Sequence, residues 1–362
     1  MNINPIQSWS KLSNKPLLIA GPCSAETEEQ LYETTLAIFR QGITVIRAGI
    51  WKPRTRPNNF EGIGVEGLKW IQNVKKLLPV SFAVEVATPQ HVEQALLHDI
   101  DILWIGARST VNPFTVQEIA DALRGTDKPV LIKNPINPEL DLWLGAIERI
   151  HNAGINNIGA IHRGFSSLQK SKYRNLPNWQ IPIELKRIMP EIPLICDPSH
   201  IAGDRNMIFD LAQRALDLNY DGLMIETHRD PENAWSDAKQ QVSPDLLRDI
   251  LKNLQVRISQ VQDAEFNHQM DEFRDQIDQA DRDIIEAIAH RMSLVSKIGE
   301  HKKQNNVTVL QIDRWKEIFK TRKEWGQAML LDQDFVAELY KLIHAASIKQ
   351  QTAILNDLKA KA

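Results

Sequence analysis

The sequence predicts a (β/α)8 TIM barrel followed by an all-α domain. Three observations carry this expectation. Short apolar runs recur eight times before about residue 228, and amphipathic stretches separate them. Beyond about Leu246, Pro and Gly nearly vanish: after Gly222 the only glycines are Gly299 and Gly326, and the last proline is Pro244. Alternating strand and helix patterns place helices around a parallel sheet, and eight of them are enough to close it.

The expected strands are residues 16–20, 44–46, 80–86, 102–105, 129–132, 157–161, 192–196 and 222–225. Most read as continuous apolar runs, as strands buried on both faces do. Between them, residues 27–41, 67–78, 89–97, 113–123 and 142–153 carry helical amphipathicity. A doubly wound sheet is the competing fold, but it usually holds fewer strands. The expected domains are a barrel over 1–255, a helical linker over 256–265 and a helical domain over 266–362.

Composition narrows the class of protein. The 362 residues carry a formal net charge of −3, which offers no bulk attraction to nucleic acid or to a membrane surface. Two cysteines, Cys23 and Cys196, are too few for a disulfide framework and fit a reducing compartment. No apolar run approaches the length of a membrane span, and no leader pattern opens the chain. A soluble cytoplasmic location is the expectation.

In a TIM barrel the functional residues stand at the C-terminal ends of the strands. Polar residues do end these runs: Cys23, Arg47 with Lys52, Glu85, Arg108, Lys133, His162 with Arg163, His200 and Glu226. One Cys, one His and two carboxylates (Cys23, His200, Glu226 and the later Asp237) form a ligand set of borderline softness. It suits Zn, Fe, Co or Mn better than Ca. None of these residues has local finger spacing, so the fold must assemble them. Arg47, Lys52, Arg108, Lys133 and Arg163 suit a substrate with several negative charges. Two chemistries then compete. Lys133 could form a Schiff base, or a metal could polarise a carbonyl; the Cys–His–Glu–Asp set favours the metal.

The ordered motifs of residues 10–255 resemble the 3-deoxy-D-arabino-heptulosonate 7-phosphate (DAHP) synthase family. They are Gly21-Pro22-Cys23-Ser24, Arg47 to Thr55 (RAGIWKPRT), Ile105-Gly106-Ala107-Arg108, Lys133, His162-Arg163-Gly164, Asp197-Pro198-Ser199-His200, and Glu226 with Asp237. The similarity is to the short type I branch related to the 3-deoxy-octulosonate 8-phosphate synthases. It implies condensation of phosphoenolpyruvate with erythrose 4-phosphate, the entry step of the shikimate pathway. It also implies a divalent metal on Cys23, His200, Glu226 and Asp237, with phosphoenolpyruvate on Arg47, Lys52, Arg108, Lys133 and Arg163. Arg54 and Thr55 meet the aldose phosphate on this reading. The Lys52-Pro53-Arg54-Thr55 segment separates the family from the octulosonate enzymes, which typically carry Lys-Ala-Asn-Arg there. Lys52 and the metal are expected to polarise the aldehyde, and Glu85 to orient the water that adds to C2. The alternative substrate is a longer sugar.

The tail reads as one long amphipathic helix over 266–304, then helices over 313–327 and 334–358. Phe273, Ile277, Ile284, Ile285, Ile288, Met292, Val295 and Ile298 recur at helical spacing. A pattern of that length without a breaker points to intertwined packing. Arg291 and Lys302 lie eleven apart and share a face, while Arg274 falls roughly 100° away. Arg274 therefore serves a common site only if it comes from elsewhere, such as a partner chain.

Residues 266–356 are similar to the all-helical chorismate mutase family, on Phe273-Arg274-Asp275-Gln276-Ile277-Asp278, Arg291, Lys302, Asp313-Arg314, Ser347 and Gln351. The resemblance implies an intertwined homodimer that rearranges chorismate to prephenate. Arg274 and Arg291 bind carboxylates on this reading, Lys302 and Gln351 face the ether oxygen, and Arg314 and Ser347 complete the site. Trp315 stands where the family usually has Glu, and Gln311 replaces a common acid. Fusing the two enzymes implies feedback, with prephenate or chorismate as effector. A silent helical domain used for assembly is the alternative.

Overall fold

A computed structural model describes residues 1–9, 16–53, 60–168, 170–258 and 261–356. The chain divides into two compact units, Met1–Ser259 and Gln260–Ala362.

The first unit is a closed barrel of eight parallel strands in sequential order. They are β1 (Leu17–Gly21), β2 (Val45–Ala48), β3 (Ser81–Val86), β4 (Ile102–Ile105), β5 (Val130–Lys133), β6 (Ile158–His162), β7 (Leu194–Cys196) and β8 (Gly222–Glu226). β1 pairs with β8, Gly21 opposite Glu226, and so removes both sheet edges. All eight expected strands are present, each within about two residues of its expected bounds. The main helices outside the sheet are α1 (Glu28–Phe39), α2 (Val65–Leu77), α3 (Pro89–Leu97), α5 (Pro113–Ala122), α6 (Leu140–Asn152), α7 (Gln180–Ile188), α9 (Ile208–Asp217) and α10 (Pro244–Asn253). Two short helices, α4 (Ala107–Thr110) and α8 (Pro198–Ala202), sit directly on strand ends. Side-chain caps set several starts: Thr27 on α1, Thr88 on α3 and Asn112 on α5, with Pro at the first turn of the latter two.

Strand alternation builds two separate cores. Ile19, Val45, Ala83, Ile102, Trp104, Leu131, Ile161, Ile195 and Met224 fill the barrel interior. Their neighbours, such as Ile46, Val84, Leu103, Ile132, Ala160 and Leu223, pack in the core shared with the helices. Ile6 and Trp9 join the interior cluster near the strand N-termini. A Cβ on Gly159 would meet the Trp9 ring at 3.1 Å, so the glycine makes room for it. The interior phase continues upward into charge. Arg47, Glu85, Lys133 and Glu226 follow Val45, Ala83, Leu131 and Met224 two residues on, which aims them at the C-terminal mouth.

The linker differs from expectation. α10 ends at Asn253, and residues 254–258 and 261–263 are not helical. Long-range pairing takes the backbone instead. Gln255 N–H donates to Gln213 Oε1 at 2.8 Å, Gln213 Nε2 donates to Gln255 O at 3.0 Å, and Arg257 pairs with Asp217 at 2.6 Å. The β-branched Val256, Ile258 and Val261 also favour extended backbone.

Among the described residues the second unit holds three helices: α11 (Ala264–Gln304), α12 (Ile312–Ala328) and α13 (Gln333–Leu355). α13 packs against both others. Gly326 permits the α12–α13 approach, since a Cβ there would lie 2.6 Å from Val336 Cγ2. Of the stripe predicted on α11, only Val295 is buried; Phe273, Ile277, Ile284 and Ile285 are all more than half exposed.

Candidate active site

The barrel mouth gathers a cleft lined by Cys23, Arg47, Lys52, Glu85, Arg108, Arg163, His200 and Asp237. Eight of the barrel residues singled out from sequence therefore meet in one place. Lys133 and Glu226 lie just beneath, both buried. Arg54 and Thr55 fall outside the described residues.

Four of these form the candidate metal centre. Ligand atoms of Cys23, Glu226 and Asp237 all lie within 4.8 Å of one another. Cys23 Sγ is 3.2 Å from Asp237 Oδ2. His200 stands at the edge of this group, its Nε2 3.7 Å from Glu226 Oε1. Its other nitrogen, Nδ1, lies 2.8 Å from Asp197 Oδ2, which turns Nε2 toward the cluster. A carboxylate behind a histidine is the usual support of a metal-binding imidazole. The donor set fits a divalent transition metal: one sulfur and two carboxylates that converge, with one imidazole nitrogen at their edge.

The local charges explain the protonation states. Burial, then Glu226 and Asp237, push the Cys23 thiol up to about 12, against Lys52 and Arg47. Burial lowers the His200 pKa, against Asp197 and Glu226, which raise it. Burial would raise Asp237, but Arg174 and then Lys52 outweigh it and hold that carboxyl well below its usual range. Glu226 is held down, despite burial, by His200 and Arg47. Lys52 Nζ donates to Cys23 O at 2.9 Å and to Ser236 Oγ at 3.1 Å, and also contacts the Cys23 sulfur.

Cations surround the cleft. Arg47 Nη2 pairs with Glu226 Oε1 at 3.0 Å, while its buried Nε and Nη1 have no hydrogen-bond partner among the described residues. A buried donor without a partner costs about 1–3 kcal/mol, a cost that an anionic group bound here would offset. Lys133 Nζ pairs with Asp197 Oδ2 at 2.8 Å. Arg163 donates to Asn175 Oδ1 at 2.7 Å, and burial, helped by Arg174 and Arg108, lowers it to about 10.

One expected rim residue belongs elsewhere. His162 has the opposite strand phase from Arg163 and lies between Trp179, Phe165 and Tyr220. Its Nε2 is 2.6 Å from Pro177 O and its Nδ1 3.0 Å from the Tyr220 hydroxyl. Burial lowers its pKa to about 3. It is a neutral core histidine.

Three polar residues were missed in the sequence. Arg174 donates to Asp237 Oδ1 at 3.0 Å and to Gln240 Oε1 at 2.6 Å. Gln240 Nε2 donates to Glu226 Oε2 at 2.6 Å. Gln241 Oε1 accepts from Cys23 N–H at 2.9 Å. Both glutamines come from the turn after Asp237, whose φ of 48° is left-handed. None ends an apolar run, so strand phase could not point to them.

The helical unit sets the predicted mutase residues in separate contacts. Arg291 Nη1 donates to Ser347 Oγ at 2.7 Å, and Lys302 Nζ to Val309 O at 2.5 Å. Gln351 is buried, with Oε1 unpartnered among the described residues. Arg274 pairs with Asp271 on its own helix at 2.8 Å and is largely exposed; Arg314 pairs with Glu317 at 2.7 Å, likewise exposed. Each of the two thus pairs on its own helix. Trp315 stacks on His344 with ring centroids 3.9 Å apart.

Comparison with known proteins agrees with this architecture. The DAHP synthetase I family model matches residues 11–262, and the chorismate mutase type II model matches residues 273–352. A phospho-2-dehydro-3-deoxyheptonate aldolase of Thermotoga maritima is 31% identical over 237 residues, covering 66% of this chain and 68% of its own. A 2-dehydro-3-deoxyphosphooctonate aldolase of Desulfatibacillum aliphaticivorans is 28% identical over 267 residues, covering 66% and 90%. A crystal structure of the Thermotoga maritima DAHP synthase superposes with a TM-score of 0.59 at 30% identity, over 65% of this chain and 67% of that one. The chain belongs to the DAHP synthetase I family, with a chorismate mutase type II domain fused behind its barrel.

Proposed function

We propose that the cleft at the barrel mouth carries the condensation and that Arg291, Lys302, Ser347 and Gln351 carry the mutase reaction. The enzyme joins phosphoenolpyruvate, D-erythrose 4-phosphate and water to give DAHP and phosphate, and rearranges chorismate to prephenate. What supports the site reading is the convergence of Arg47, Arg108 and Arg163 on the same cleft as Cys23, His200 and Asp237.

Arg47, Arg108, Lys133 and Arg163 hold the phosphate and carboxylate of phosphoenolpyruvate. Arg54 and Thr55 take the aldose phosphate. Cys23, His200, Glu226 and Asp237 hold a divalent cation: Mn, Fe, Co or Zn. When bound, such an ion supplies Lewis-acid polarisation of the aldehyde carbonyl. Lys52, already at the Cys23 sulfur, donates to the same oxygen as it gains charge. C3 of phosphoenolpyruvate bonds to the aldehyde carbon, and positive charge develops at C2. Water oriented by Glu85 adds to C2 and gives one proton to that carboxylate, leaving a hemiketal phosphate; the C2–O bond to phosphate then breaks as the remaining hydroxyl becomes the C2 ketone, and phosphate leaves with the bridging oxygen and that proton.

In the helical domain, Arg291 and the partner's copy of Arg274 clamp the two carboxylates of chorismate, and Arg314 and Ser347 complete the site. Lys302 and Gln351 stabilise the ether oxygen as it gains charge. The exposed α11 stripe supports a homodimer or a larger homo-oligomer. Prephenate or chorismate bound there regulates condensation. A cytoplasmic location is part of this proposal; no described helix is long and apolar enough to cross a membrane.

Phosphate release from phosphoenolpyruvate tests the substrate, with erythrose 4-phosphate or arabinose 5-phosphate as acceptor. Turnover on the four-carbon sugar is expected. Turnover on the five-carbon sugar alone would overturn the assignment.

A further inference from the structure

We propose that Trp104 is a positioning residue for the condensation, holding Glu85 at a set distance from Arg47 and Lys133. The inference rests on the site reading above.

Trp104 ends the interior phase of β4 and is completely buried. Its single N–H donor, Nε1, points to Glu85 Oε2 at 3.0 Å. The same ring carries two cations: Arg47 Cζ stands 5.2 Å from its centroid and Lys133 Nζ 5.8 Å. Both distances lie within the reach of cation–π attraction. One stiff side chain from β4 therefore touches three charged groups on β2, β3 and β5.

Gly106 closes the other side of the slot. A Cβ there would lie 2.1 Å from Glu85 Oε1. The backbone of Gly106 has φ −72°, which any residue adopts, so glycine supplies space here and not conformational freedom. The Glu85 carboxylate is thus held between an indole N–H and a bare Cα.

The pairing pattern shows what this achieves. Glu85 acts electrostatically on Arg47 and shares the Trp104 ring with Lys133, yet the ion pairs of the two cations go to Glu226 and Asp197. A carboxylate that collapsed onto either cation would both block phosphoenolpyruvate and lose its place beside C2. Trp104 gives Glu85 a neutral partner and gives the cations an aromatic floor.

The test separates these two contacts. Trp104→Phe keeps a ring and removes the N–H. It should lower kcat about 10- to 100-fold, the cost of misplacing a catalytic group by about 1 Å. KM for phosphoenolpyruvate should stay within about threefold. Trp104→Leu also removes the floor and should raise that KM. Gly106→Ala displaces Glu85 from the opposite side and should lower kcat like Trp104→Phe. In a Glu85→Gln background, Trp104→Phe and Gly106→Ala should each cost less than about twofold further, because both act through that carboxylate. An undiminished kcat in Trp104→Phe, or the same loss with and without Glu85, overturns the proposal. If Trp104→Phe does not fold, the Gly106→Ala cycle with Glu85→Gln decides by the same criterion. Wild-type enzyme inactive on erythrose 4-phosphate would instead undo the substrate assignment.

Discussion

Nδ1 of His200 and Nζ of Lys133 each lie 2.8 Å from one oxygen of Asp197, Oδ2. A fully buried carboxylate thus links the His200 imidazole, proposed as a metal ligand, to the Lys133 ammonium, proposed to hold phosphoenolpyruvate. Against burial, His200 and then Lys133 hold Asp197 well below the usual carboxylate range. Asp197→Asn should weaken divalent-metal affinity about 10- to 100-fold, the usual effect of losing the group behind a histidine ligand. Metal titration of the stripped protein measures this; unchanged affinity would remove Asp197 from that role. Leaving Lys133 buried without its partner should also destabilise the fold by about 3–5 kcal/mol.

Gln240 bridges Glu226 and Arg174, and Arg174 holds Asp237. Gln240→Ala should therefore loosen both carboxylates of the metal centre. Metal affinity should fall by about tenfold while the denaturation midpoint moves by little. A large loss of stability with intact metal binding would make Gln240 a structural residue only.

His162 makes stability depend on pH. Its folded pKa is near 3 and its ordinary value 6.5. As pH falls below about 6.5 the unfolded chain takes up a proton that the folded chain refuses. Stability is therefore fully present above that pH and declines toward pH 3, with a slope approaching about 1.4 kcal/mol per pH unit. Denaturant midpoints of wild type and His162→Gln between pH 7 and 5 should show the steeper fall in wild type. Parallel curves would contradict the assignment.

Arg291 contacts Ser347 through a half-buried guanidinium whose pKa burial lowers. Arg291→Ala should reduce conversion of chorismate to prephenate by about 100-fold or more, since charge stabilisation is the main contribution available to a rearrangement without covalent catalysis. A helical domain serving assembly alone would lose nothing measurable.

The barrel was legible because each strand is an apolar run buried on both faces, and because polar residues such as Arg47, Lys133 and Glu226 continue the interior phase past the strand ends. The same phase rule, applied residue by residue, would have turned His162 outward and kept Arg163 at the mouth. Arg174, Gln240 and Gln241 sit in irregular connections where no periodicity exists, and only tertiary structure brings them to Asp237, Glu226 and Cys23. Trp104 looked like one more apolar strand residue; its N–H and its ring acquire meaning only beside Glu85, Arg47 and Lys133. Residues 254–258 misled because no Pro or Gly breaks a helix there and the β-branched Val256 and Ile258 disfavour it only weakly, whereas Gln213 and Asp217 capture the chain from a distance.

The most direct test of metal-assisted condensation is phosphate release from phosphoenolpyruvate and erythrose 4-phosphate, measured before and after chelation. Turnover should be abolished by chelator and restored by Mn, Fe, Co or Zn, and Cys23→Ser should lose metal and activity together. Full turnover in metal-stripped Cys23→Ser protein would contradict the role given to Cys23, His200, Glu226 and Asp237.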